Sequence, residues 1–240
     1  MSLRDRLKRV GRLAQAVRLL RALATPIGRG RLRAGRGLLQ PATVTGMDRH
    51  PQLFAVLVSL LGGRSAPRLL SFGCSTGEEA FTLARYFRHA TIDAIDANPA
   101  CIAQAQRAAR SPEHRDVADR IRFLCAATPD ASGGDYDAVL CLSVLRHGAL
   151  DVERPERCTA LIPFARLANT IAALDRCLRA GGVLLLWGCN FRFRDTATAA
   201  AYCVVPSPAK RPQPGPFYGP DDRLLPVDAY ADFVFVKSAR

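Results

Sequence analysis

Residues 68–84, R-L-L-S-F-G-C-S-T-G-E-E-A-F-T-L-A, narrow what this chain can fold into more than any other stretch. A short apolar run breaks at Gly73, small residues lead to Gly77, and Ala80, Phe81, Leu83 and Ala84 follow at helical spacing. The pattern predicts a strand, a tight turn and a helix. A side chain at such a turn would collide with a closely approaching ligand. Gly73 and Gly77 are therefore expected to leave backbone amides open above a helix N-terminus, as a cradle of nucleotide size.

Two carboxylates, Glu78 and Glu79, directly follow Gly77. A phosphate-holding turn gathers positive partial charge and usually a lysine, as in G-x-x-x-x-G-K-[ST]. Adjacent carboxylates would repel a triphosphate. They would attract the ammonium and sulfonium of S-adenosylmethionine, a phosphate-free adenosine donor of net positive charge. Either glutamate alone also suits the helix dipole, worth roughly 0.3 to 1 kcal/mol. Asp96 ends the next predicted strand, 23 residues after Gly73. A carboxylate there is placed to accept hydrogen bonds from both ribose hydroxyls of an adenosine cofactor. The alternative for Asp96 is a turn-forming role before Asn98 and Pro99. Nicotinamide dinucleotides would use the same acid, so the acidic loop is what discriminates.

The loop G-C-S-T-G-E-E, residues 73–79, resembles the cofactor loop of class I S-adenosylmethionine-dependent methyltransferases, in the variant of chemotaxis-receptor methyltransferases. The general pattern is acid-x-G-x-G-x-G; here Ser71 stands at the acid and Ser75 at the middle glycine. The resemblance runs from about residue 67 to 190, through Y-D-A-V-L-C-L-S-V-L-R-H (136–147) and L-D-R-C-L-R-A-G-G-V-L-L-L (174–186). It implies a Rossmann-like fold and cofactor contacts at Gly73, Cys74, Ser75, Gly77, Glu78, Asp96, Ala97, Ala126 and Leu142. Cys125, Ala126 and Ala127 supply no acid where family members meet the adenine amino group, so backbone groups and an apolar wall would serve. Nothing like N-P-P-Y occurs, which disfavours amino methylation of nucleic-acid bases.

The remaining strands and helices alternate in the manner of a doubly wound, mostly parallel α/β sheet. Strands are expected over 91–96, 121–126, 136–142, 183–189 and 230–237, with helices over 50–61, 99–110 and 164–178. Ligands bind such sheets beyond the carboxyl ends of the strands. At the front, residues 1–24 place leucines and valines on one helix side and arginines on the other, and 25–36 read as a linker or mobile arm. The division is thus a basic helix and arm over 1–36 and a cofactor-binding domain over 37–240. Such a helix suits an anionic membrane, nucleic acid or simply its own domain.

With 34 Lys plus Arg against 21 Asp plus Glu, the net charge is +13, which favours anionic partners. Eight scattered cysteines without C-x-x-C, and four histidines not spaced with them, imply free thiols and no structural metal. No uncharged apolar run reaches the roughly 18 to 20 residues of a membrane span, so the chain reads as cytoplasmic, with peripheral contact at the inner membrane face through residues 1–24 as an option.

Candidates beyond strands four and five are Ser143, Arg146, His147, Asn190, Arg192 and Arg194. His147 titrates near neutrality and could act as a general base. Asn190 and Arg192 follow strand five, and Arg192 with Arg194 suits an anionic acceptor. The proline-rich stretch 206–220 is expected to lie over the active-site mouth. The expected acceptor is a small or lipid-linked anionic molecule. Receptor glutamate methylation is disfavoured, because the chain lacks room for an extra helical domain. An RNA-binding or RNA-modifying protein and a non-catalytic scaffold are the alternatives; oligomeric state is not marked in the sequence.

Overall fold

The strand Y-D-A-V-L-C-L, β4 (Tyr136–Leu142), is buried along its whole length, which only a central strand covered on both faces allows. The structure, a computed structural model, describes residues 20, 23–35, 38–207, 211–227 and 229–239. Around β4 lie β1 (Arg68–Phe72), β2 (Thr91–Asp96), β3 (Ile121–Cys125), β5 (Leu178–Trp187), β6 (Tyr202–Val205) and β9 (Val234–Lys237), in the order β3-β2-β1-β4-β5-β9-β6. β3, β2, β1, β4 and β5 pair in parallel, and β9 runs antiparallel to both β5 and β6. A separate hairpin joins β7 (Gln213–Pro214) to β8 (Ala229–Tyr230).

Helices cover both faces. One carries α2 (Pro51–Leu61), α3 (Glu78–Tyr86) and α4 (Pro99–Ala109), whose Leu53, Leu57, Phe81, Leu83 and Ile102 meet Leu69, Ile92 and Leu140 in one apolar cluster. The other carries α5 (Gly148–Glu153) and α6 (Phe164–Cys177), with Leu167, Ile171 and Leu174 against Val139, Leu184 and Phe235. The expected doubly wound sheet is what forms. β5 begins earlier than expected, because Leu178 pairs with Tyr136 before the register shifts and Val183 pairs with Ala138.

The stretch expected as a mobile arm is instead a helix, α1 (Pro26–Ala34). Thr25 Oγ1 caps it by accepting from Gly28 N at 3.0 Å, and Pro26 occupies its first turn. Gly28 and Gly30 are buried where α1 crosses α4: a Cβ on Gly30 would fall 2.0 Å from Asn98 Oδ1. Asn98 Nδ2 in turn donates to Ile27 O at 3.0 Å. The glycines that read as flexibility therefore serve close helix packing. The amphipathic pattern of residues 1–24 falls largely outside the described residues. Among the described residues, no helix is long and apolar enough to cross a membrane.

Candidate active site

β1, β2 and β4 end side by side, and their following loops build the site. Gly73 leaves β1 at φ +80°, and a Cβ there would stand 2.2 Å from Val144 Cγ2, so only glycine lets the loop after β4 close down. Ser75 turns left-handed at φ +50°, and Gly77 caps α3.

The amides of this turn are not open, contrary to the expectation from sequence. Gly73 N and Cys74 N both donate to Ile95 O, at 2.8 and 2.9 Å, and Gly77 N donates to Cys74 O at 3.0 Å. Ser75 N donates to Asp96 Oδ2 at 2.9 Å. Gly73 N, Cys74 N and Ser75 N tie the turn to β2, and Gly77 N closes the turn on itself. None of these four is left for a phosphate.

Asp96 is held from both sides, for its Oδ1 accepts from Asn98 N at 2.7 Å. Burial pushes its carboxyl above the ordinary value, while the Asn98 and Ser75 amides pull it back. Each oxygen keeps a further lone pair. The carboxylate lines a cleft of ≈ 670 Å³, open to solvent, together with Gly73, Ser75, Ala97, Ala126 and Leu142. The opposite wall is a strap, residues 38–44, which passes over the cleft. Ser75 Oγ holds it by donating to Thr43 O at 3.2 Å.

A second cavity of ≈ 400 Å³ continues from the first, with Gly73, Ser75, Leu142 and Val44 lining both. Its charged residues are Glu79 and Arg49, and Cys74 and His50 also line it. Ser71 Oγ donates to Glu79 Oε1 at 2.6 Å. Burial pushes Glu79 up to about 7, opposed by the Ser71 hydrogen bond and the Arg49 guanidinium. Glu78 points elsewhere: Thr76 Oγ1 donates to its carboxylate at 2.7 Å, and it lines neither cavity. Successive helical residues diverge by about 100°, so only one of the two glutamates enters. Gly77 also stays outside, packed beneath Phe81, Ala105 and Phe123.

The three catalytic candidates are not brought to the cleft. His147 caps α5, its Nδ1 accepting from Ala149 N at 3.3 Å, and burial lowers its pKa against the pull of Asp151 and Glu153. Asn190 is fully buried; its Oδ1 accepts from His147 N at 2.7 Å, and its Nδ2 donates to Asp151 Oδ1 and Pro216 O. It fastens the loops after β4 and β5 to the tail. Arg192 forms a paired contact with Asp195, at 2.7 and 2.8 Å, beside a separate apolar cavity lined by Tyr230 and Asp232. The proline-rich tail lies along residues 188–190, where Gln213 Oε1 accepts from Gly188 N and Tyr218 N donates to Asn190 O. The strap, and not this tail, walls the cleft.

Sequence reasoning missed Arg49 and the strap. Arg49 is one of 34 cationic side chains, and Q-P-A-T-V-T-G has no period to betray its course. Ser143, at φ +63°, and Val144 also line the cleft, where β4 ends.

These donors fit S-adenosylmethionine. Asp96 suits a ribose, Glu79 with Arg49 suits a zwitterionic methionine end, and four amides of the turn are already engaged. Parts of the chain are similar to known proteins. A sequence profile described as a methyltransferase domain matches residues 70–184. An uncharacterized protein of Synechococcus sp. is 33% identical over 138 residues, 56% of this chain and 28% of that protein. A methyltransferase of Geobacter sulfurreducens, solved with S-adenosyl-L-homocysteine, is 27% identical over 59% of this chain and 49% of its own, with a TM-score of 0.39. One from Thiobacillus denitrificans, also with S-adenosyl-L-homocysteine, is 26% identical over 57% and 48%, with a TM-score of 0.38. The chain thus spans about a quarter to a half of the length of these relatives. Over residues 70–184, just under half of its length, the chain is similar to the methyltransferase domain family.

Proposed function

We propose that this chain transfers a methyl group from S-adenosylmethionine to a small or lipid-linked anionic acceptor. The observation that carries the donor half is the placement of Asp96 in one cavity and Glu79 with Arg49 in the next, joined across Gly73 and Ser75. Asp96, Ala97 and Ala126 would hold the adenosine, with the Asp96 carboxylate to accept from its ribose hydroxyls. Glu79 would meet the methionine ammonium and Arg49 its carboxylate.

The bound donor supplies a methyl group already activated by the sulfonium charge. The chain's own work is alignment and exclusion of water. Val44, Gly73, Ser75 and Leu142 line both cavities, and Thr43, Ser143 and Val144 line the first, which would leave this wall to an acceptor. None of His147, Asn190 and Arg192 lines either cavity. An acceptor oxygen that arrives ionised needs no proton removed, which agrees with an anionic acceptor and a chain of net charge +13.

Calorimetry tests the donor half. S-adenosylmethionine and S-adenosylhomocysteine are expected to bind, and a nicotinamide dinucleotide is not. Absent binding of both sulfur compounds would overturn the proposal in favour of a scaffold that keeps only the fold.

A further inference from the structure

We propose that the outward face of α1, with the neighbouring strap, docks on an anionic lipid bilayer and so brings the cleft mouth to the lipid surface. Docking itself stands apart from the methyl-transfer reading; delivery of a lipid-borne acceptor rests on it.

The inner side of α1 is committed to the domain through Gly28, Gly30 and the Asn98 contact to Ile27 O. Its orientation is therefore set by packing. The outer side carries Arg29, Leu32 and Arg33, all exposed and at the three- and four-residue spacing that puts them on one face. No acidic residue occurs in this helix, P-I-G-R-G-R-L-R-A.

Exposed apolar side chains gather here. Of the nine large ones exposed among the described residues, Leu20, Leu23, Leu32 and Val44 fall within residues 20–44. Arg29 Nη1 donates to Leu23 O at 2.8 Å, which lays Leu23 beside the helix. Arg31 Nη1 reaches Pro41 O at 3.5 Å, which lays the strap beside it too. Val44, 76% exposed, lies on the rim of both cavities.

Leucines set among arginines suit a bilayer surface, where guanidinium groups meet anionic headgroups and apolar side chains enter the acyl boundary. Nucleic acid offers no counterpart for the leucines, and residues 20–44 carry no aromatic side chain on which bases could stack. Charge and apolar exposure together therefore select an anionic membrane.

The test uses the full chain with vesicles of phosphatidylcholine alone, or with roughly a third phosphatidylglycerol. The protein should sediment with the anionic vesicles only, less so as salt is raised. Arg29→Glu with Arg33→Glu should lower the partition coefficient roughly tenfold or more. Leu23→Ser with Leu32→Ser should lower it as well, and both double variants should keep wild-type affinity for S-adenosylhomocysteine. Wild-type partition in both variants, equal sedimentation with neutral vesicles, or binding of single-stranded RNA without vesicles would each overturn the proposal. Vesicle binding without any binding of the sulfur compounds would uphold docking and remove the donor assignment.

Discussion

Ser71 Oγ donates to Glu79 Oε1 at 2.6 Å, so the first turn of α3 returns to the end of β1 the carboxylate that β1 itself lacks. Glu79→Gln keeps the shape and the Ser71 contact but removes the charge proposed to meet the methionine ammonium. A hydrogen bond to a charged group contributes about 1.5 to 3 kcal/mol, so affinity for S-adenosylhomocysteine should fall roughly 10- to 100-fold by calorimetry. Glu78→Gln should leave it unchanged, since Glu78 lines neither cavity.

Burial that raises Glu79 from 4.5 to about 7 makes the folded protein hold a proton that the unfolded chain has lost. Stability contributed by this group is fully present below pH 4.5 and is lost as pH rises through about 7. The Tm of the free protein should therefore decline between pH 5 and 7.5 more steeply than that of Glu79→Gln. Donor affinity runs the opposite way, because an ammonium favours the ionised acid. It should strengthen up to neutral pH, with proton release visible as a buffer-dependent binding enthalpy.

Asp96 both faces the cleft and anchors Ser75 N and Asn98 N. Asp96→Ala should abolish measurable donor binding and also lower Tm, because two buried amides lose an acceptor at about 1 to 3 kcal/mol each. Asp96→Asn retains one amide contact at most and should fall between. Equal affinities in wild type and Asp96→Ala would remove the ribose assignment.

Gly73→Ala should be among the most damaging single changes near the site. It adds a methyl 2.2 Å from Val144 Cγ2 in a left-handed backbone, which costs about 1 to 2 kcal/mol before any clash. Adding Val144→Ala should restore part of the lost Tm, since it removes the obstacle and leaves the backbone penalty. No recovery in the double variant would show that backbone strain alone governs the position.

Arg192→Ala and Asn190→Ala separate scaffolding from chemistry. Arg192 is paired with Asp195 outside the cleft, so its loss should leave donor affinity unchanged. Asn190→Ala strands His147 N and removes two donated hydrogen bonds, so Tm should fall by roughly 4 to 8 °C for about 2 kcal/mol at this chain length.

Much of the fold was legible because β4 is buried on both faces and reads as a near-continuous apolar run, β1 and β2 carry short apolar stretches bounded by turn residues, and α6 carries Leu167, Ile171 and Leu174 at helical spacing. Local patterns end where packing decides. Gly28 and Gly30 look like flexible chain, yet both are buried in α1, and at Gly30 a side chain would collide with Asn98 and Ala100. Glu78 and Glu79 are neighbours in sequence, yet helix geometry sends them to different surroundings. The strap has no period at all, since it takes its path from Ser75, Arg31 and the cleft beneath. Asp96 reaches the cleft because it ends β2, a position that the strand pattern and its spacing from Gly73 mark in the sequence.

The position of β9 sets an order on biosynthesis. It lies between β5 and β6, yet of the described strands it leaves the ribosome last. Until it emerges, the rim of β5 stays bare and β6, which pairs with β9 alone among the described strands, has nothing to join. A nascent chain paused before residue 234 thus exposes two unmatched edges, open to pairing with other chains, until β9 emerges and fills the gap between them.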